Sequence, residues 1–229
     1  MTGNALQRVI ARGAARQPPA GAGGASGVTG ASGAGGAGCE LCGRLAGDAH
    51  RHLLDTSRDE LLCACQACMV LFGRDQASDG RFRLVPDRRL RVPGLAPAAL
   101  GVPVGLAFFV RHADGSVSAH YPSPAGATRW TVDSRAWTTV TSGRPELAAL
   151  AADVEALLVN TVRGHSDAWL VPIDDCRRLV AVVRRHWRGL SGGDMVWPEI
   201  ERFFGDLNDL CEPSEPSEPR RRDGLPQGG

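Results

Sequence analysis

CELCGRLAGDAHRHLLDTSRDELLCACQAC, residues 39–68, holds five of the chain's seven cysteines, and the rest of the chain is read outward from it. Cys39-Glu-Leu-Cys42-Gly43 is a C-x2-C-G knuckle. Two thiolates two residues apart on a tight turn face one ion, and the glycine admits the positive φ that such a turn needs. Cys65-Gln-Ala-Cys68 is the second pair and opens MVLF, which reads on as a helix. Thiolates at i and i+3 of a first helical turn point the same way, and the positive end of the helix dipole favours their ionised form. Between the pairs, HRHLLD and ELLCAC flank TSRD and predict a hairpin.

Knuckle, hairpin and helix make a small treble-clef-like metal module. Four thiolates at tetrahedral angles suit zinc, so Cys39, Cys42, Cys65 and Cys68 are the candidate ligands. The gap between the pairs is slightly longer than in the usual zinc ribbon. Cys63 shares a strand side with Cys65, and His50 and His52 share a face of the other strand. These three are alternate ligands or partners of the ligands. An iron–sulfur cluster is the alternative cofactor. A cysteine cluster of this kind in a reducing compartment points to metal rather than disulfides, and the expected location is the cytoplasm.

Outward from this stretch, residues 1–38 are a Gly/Ala-rich tail and 212–229 a polar, Pro-rich one; both are expected to be disordered. The metal module takes residues 39–80, a linker 81–101, and an α+β domain 102–211. In that domain PVGLAFFVR from Pro103 and SVSAHYP from Ser116 read as strands around Asp114-Gly115, a hairpin signal. TRWTVD from Thr128 and AWLVPI from Ala168 are two more. Three helices follow from periodicity. The first puts Leu147, Leu150, Ala151, Val154, Leu157 and Leu158 on one face, after Pro145 and Glu146. The second puts Cys176, Leu179, Val180, Val183 and Trp187 on one face, with Asp174 as cap and Gly189 as its end. The third puts Ile200, Phe203, Phe204, Leu207 and Leu210 on one face, with Pro198 near the first turn. The fold class is α+β: the metal module, then an antiparallel-sheet domain with about three helices.

Composition excludes some chemistry. All 26 basic residues are arginine, so neither a phosphate-loop lysine nor a Schiff-base amine is present. A net charge of +1 gives no field for nucleic acid, and Arg44, Arg51, Arg58 and Arg74 are scattered over the module. No stretch is apolar enough to cross a bilayer. Gly189-Leu190-Ser191-Gly192-Gly193 matches the nucleophile elbow GxSxG, but a helix, not a strand, runs into it, so it reads as a helix-ending turn. Cys176 falls on an apolar helix face and reads as a buried, inert thiol. Arg177, Arg184 and Arg188 form a solvated stripe opposite it. No catalytic residue is assigned.

The loop Tyr121-Pro122-Ser123-Pro124-Ala125-Gly126 carries the chain's one tyrosine, has prolines on both sides of Ser123, and is the candidate partner-binding surface. A stiffened loop loses little entropy on capture, and tyrosine is enriched at interface centres.

VGLAFFV, YPSPAGAT, DVEALLVN, VPIDDC and WRGLSGG, with CELCG and C-x-C-x2-C before them, occur here in an order that resembles one uncharacterised, mostly actinobacterial family. The likeness spans about residues 39–210. This chain has Arg177 where that family often has an aromatic, and Ala181 where it often has glycine. The resemblance implies an accessory protein linked to nickel–iron hydrogenase assembly or function, with a hydrogenase subunit or maturation factor as partner, and carries over no catalytic residue. The expected function is therefore a metal-binding accessory or protein-interaction protein. A redox or metal-transfer protein using the surplus cysteines is the alternative.

Overall fold

The structure is a computed structural model that describes residues 38–47, 50–73, 78–101, 105–189 and 192–211. The terminal stretches expected to be disordered, Gly38 apart, and Leu190 and Ser191 of the GLSGG turn lie outside the described residues.

The hairpin between the two cysteine pairs forms as β1 (Arg51–Asp55) and β2 (Glu60–Ala64), antiparallel with Leu53 opposite Leu62. Asp55 shapes the connecting turn: its carboxylate accepts the Ser57 N–H and hydroxyl at 3.0 and 2.6 Å. Helix α1 (Gln66–Phe72) follows directly. β3 (Phe82–Leu84) pairs with the other edge of β1, giving the order β2-β1-β3.

The second sheet has six strands, all antiparallel: β4 (Leu90–Arg91), β5 (Leu106–Arg111), β6 (Val117–Ser123), β7 (Gly126–Thr131), β8 (Glu155–Asn160) and β9 (Asp167–Pro172). Their order is β4-β9-β8-β5-β6-β7. Asp114 accepts the Ser116 N–H at 2.8 Å, and Gly115 takes φ 83°, so the Asp-Gly signal makes the β5–β6 turn. Alternation along the strands divides the core in two. Phe108, Val110, Ala156, Leu158, Trp169 and Val171 face α4 (Ile173–His186) and α5 (Gly193–Leu210). Ala107, Phe109, Leu157, Val159, Ala168 and Leu170 face the side holding α2 (Ser134–Thr141) and α3 (Pro145–Ala148).

The helix expected over Leu147–Leu158 is corrected. Only Pro145–Ala148 is helical, and Glu155–Asn160 is the central strand β8, buried at every position. Leu147, Leu150, Val154 and Leu157 have helical spacing, but Ala156–Val159 is apolar on both faces, as a strand covered on both sides requires. Asp153, at φ 63°, turns the chain into it. Pro198 is likewise not in a first turn: α5 begins at Gly193 and carries the proline inside. Helix α2 comes from SRAWTTVT, poor in strong helix formers; Asp133 caps it by accepting the Arg135 and Ala136 N–H groups, both at 3.0 Å.

The stretch 81–101, expected as a linker, supplies β3 to the first sheet and β4 to the second. Its arginines reach carboxylates on both sides. Arg81 pairs with Asp55, Arg83 with Asp153, Arg88 with Glu155, Arg89 with Asp175 and Arg91 with Asp167. Asp55, Glu155 and Asp175 are only 2%, 1% and 3% exposed, so each needs its guanidinium. Apolar contact crosses the same seam. Leu53 faces the cysteine side of β1, while Leu54 and Val85 belong to the cluster that holds Trp169 and Phe204.

Candidate metal centre

The knuckle closes through three backbone links: Cys39 N–H to Arg44 O at 2.6 Å, Gly43 N–H to Cys39 O at 2.7 Å, and a bridge between Gly38 and Leu45. Gly43 takes φ 76°. On the other side β2 delivers Cys65 to the position just before α1, and Cys68 lies in the helix's first turn. These two pieces bring the thiols of Cys39, Cys42, Cys65 and Cys68 within 4.8 Å of one another. Cys42 Sγ and Cys65 Sγ are 3.8 Å apart. Sulfurs bound tetrahedrally to one zinc at about 2.3 Å stand about 3.8 Å apart. The donor set thus fits a single thiophilic ion.

The electrostatics suit ionised sulfur at Cys39. Burial pushes its thiol up, but the backbone groups of Cys65, Cys42 and Leu41 hydrogen-bond to it, and its pKa falls to about 7. Burial, with Cys42 and Cys39 as neighbours, pushes the Cys68 thiol far up. Four thiols this close do not all ionise unless a cation shares them. Cys39 and Cys68 are buried, with Ala46, Leu53, Ala64 and Phe72 around them; Cys42 is exposed at the rim.

The three alternates lie outside this group. His52 Nδ1 meets Asp174 Oδ2 at 2.8 Å, across the seam to α4. His50 Nδ1 meets Gly47 O at 3.1 Å. Cys63 gives its backbone N–H to Glu40 and accepts from Glu40 N–H through its carbonyl; burial and the Glu40 charge push its thiol up. Asp174 is 122 residues from His52, a partner that local spacing does not reveal.

Of the other candidate residues, Tyr121, Pro122 and Ser123 lie in β6, with Pro124 and Ala125 at the exposed tip of the β6–β7 hairpin. Tyr121 is half-buried against the second core cluster. Cys176 is fully buried, and burial raises its thiol well above the ordinary range. Arg177 is not simply solvated: it reaches Asp59 in the module's hairpin turn at 2.5 Å.

One polar constellation escapes sequence reading. Asp153 Oδ1 meets His112 Nδ1 at 2.8 Å, and His112 Nε2 meets Ser118 Oγ at 2.7 Å. The connectivity is that of an acid–base–nucleophile relay. Ser118, however, is 2% exposed, and its Oγ also meets His120 Nε2 at 2.9 Å. With the hydroxyl enclosed between two imidazoles, the group acts as a satisfied polar cluster under α4. Arg83 from the first sheet joins it through Asp153.

Fold and site together define a class: an α+β protein in which a four-cysteine module packs on a six-stranded antiparallel sheet. The chain belongs to a family of unknown function, DUF5947, whose model matches residues 38–211 and so spans both parts. No curated protein and no solved structure matches the chain. No described helix is long and apolar enough to cross a membrane.

Proposed function

We propose that the protein is a zinc-binding accessory protein of the cytoplasm that acts by docking on another protein. The observation that carries the metal reading is the group of four thiols within 4.8 Å, on a knuckle and a helix start. This spread favours one ion over a multi-iron cluster, in which the four thiolates are divided among different irons. Zinc would tie the knuckle to the hairpin and α1, a structural role for which four protein ligands leave no open position for substrate. The docking reading rests on the exposed Pro124–Ala125 tip, with Tyr121, Pro122 and Ser123 behind it. The family resemblance adds a partner class, a nickel–iron hydrogenase subunit or maturation factor.

Metal and sulfide analysis of anaerobically purified protein tests the first half. One zinc per chain in a colourless sample is the expected result; a brown sample with iron and sulfide overturns it. The second reading, metal or electron transfer, is favoured by the exposed Cys42 and by the surplus Cys63, whose thiol lies outside the group of four. Loss of zinc to a competing thiol protein at the same rate in wild type and Cys63→Ser counts against it.

A further inference from the structure

We infer that the cysteine module is a peroxide-sensitive switch in which oxidation joins Cys42 to Cys65 and releases the metal; this names a regulation of the metal site and rests on the zinc reading. The four thiols are not equally open. Cys39 and Cys68 are 2% and 5% exposed, Cys65 is half-buried, and Cys42 lies exposed on the knuckle turn. A small oxidant arriving from solvent therefore meets the Cys42 sulfur first.

Geometry selects the second sulfur. Cys65 Sγ stands 3.8 Å from Cys42 Sγ, and a disulfide needs about 2.05 Å. Cys65 is the residue before α1, extended at φ −68° and ψ 162°, so its side chain can turn toward Cys42 without unwinding the helix. Cys68, in contrast, is fixed in the first helical turn. The Cys39 sulfur is held by backbone groups of Cys65, Cys42 and Leu41, contacts that a bond to Cys42 would forfeit.

An independent clamp keeps the pair in register once the metal is gone. The Glu40 carboxylate accepts the Cys63 N–H at 2.7 Å, and Glu40 N–H donates to Cys63 O at 2.9 Å. These bonds tie the knuckle to β2. Cys42 follows Glu40, and Cys65 follows Cys63, by two residues each.

In the first step the Cys42 thiolate attacks one oxygen of hydrogen peroxide. An S–O bond forms, the O–O bond breaks, and the leaving hydroxide takes a proton to become water. The Cys65 thiolate then attacks the Cys42 sulfur. An S–S bond forms, the S–O bond breaks, and a second hydroxide leaves as water with a second proton. Two electrons pass from the two sulfurs to the peroxide. Cys39 and Cys68 remain, two ligands where zinc takes four. The disulfide keeps the knuckle on the hairpin, while α1 loses Cys68 as its anchor.

The test treats zinc-loaded full-length protein with hydrogen peroxide and follows metal release, non-reducing peptide maps and amide exchange. Tryptic cleavage after Arg44, Arg58 and Arg74 puts the two cysteine pairs on separate peptides. One zinc is expected to leave per cross-link formed between those peptides, with fragment ions placing the link at Cys42 and Cys65. Amide protection is expected to persist in β1 and β2 and to be lost in α1, and dithiothreitol to restore zinc binding. Cys63→Ser is expected to form the same cross-link. Disulfides confined within each pair, a link through Cys63, or zinc retained after peroxide overturn the switch alone. Protein purified without zinc overturns the zinc reading and the switch together.

Discussion

Leu53 and Leu157 are both completely buried in antiparallel sheets, but their neighbours differ in kind. Around Leu53 stand Cys39, Ala46, Ala64, Cys68 and Phe72, a core of thiols and small side chains. Around Leu157 stand Phe109, Trp137, Leu147, Leu150 and Leu170, and a second apolar cluster fills the opposite face of the same sheet. At roughly 25 cal/mol per Å² of apolar surface, burial sustains the second assembly but not the first. The contrast teaches that, on the proposed zinc reading, coordination would close the module while packing closes the sheet domain, and that the arginine-rich stretch between them is where the two meet.

The largest expected effect breaks the module alone. Zinc binding to small modules is worth on the order of 10–16 kcal/mol. Cys68→Ser, or a strong chelator, is expected to bring amide exchange in β1, β2 and α1 near unprotected rates while β8 stays protected; equal loss in β8 would mean that coordination also holds the larger sheet. Next is the seam. Arg88→Met leaves Glu155 buried without its guanidinium and is expected to cost about 3–5 kcal/mol in denaturant unfolding. A loss under 1 kcal/mol would show that the ion pair is incidental to packing.

A smaller effect is set by pH. Burial and the nearby Arg129 hold His120 down at about 4, below its ordinary 6.5. The unfolded chain binds the extra proton first, so stability falls as pH drops from 6.5 toward 4. His120→Asn is expected to flatten the stability–pH curve in that window relative to wild type; parallel curves would remove His120 as the cause. The smallest effect is at the open edge. Trp130→Ser removes a side chain that lies largely in water and is expected to change stability by less than about 0.5 kcal/mol, read as an unchanged melting temperature. A clear drop would place Trp130 in the fold.

Legibility followed locality. The hairpin around TSRD, the Asp114-Gly115 turn and the two long helices were readable, because each signal lies within a few residues of what it specifies. The four thiols that spacing groups together do converge, since a knuckle and a helix start each fix their own pair. β8 was misread because one apolar run satisfies both a helical and a doubly buried strand pattern. The destination of Arg81–Arg91 was hidden for another reason. An arginine carries no mark of which distant carboxylate it meets, so a stretch stitched to both sheets reads as a linker. His52 and Asp153 fail the same way: their partners Asp174 and His112 are supplied by the tertiary fold.

The arginine stitches also impose an order in time. Arg88 waits for Glu155, Arg91 for Asp167 and Arg89 for Asp175, separations of 67, 76 and 86 residues. The cysteine pairs need nothing beyond Cys68 to meet. During synthesis at about 5–20 residues per second, roughly 4–17 s pass between the emergence of Arg89 and that of its carboxylate. In that interval the thiols are able to capture metal while the guanidiniums beside them remain hydrated. The nascent chain thus presents a formed knuckle and an unfinished seam at once, and Leu54 and Val85 stay exposed to other chains until the sheet arrives to cover them.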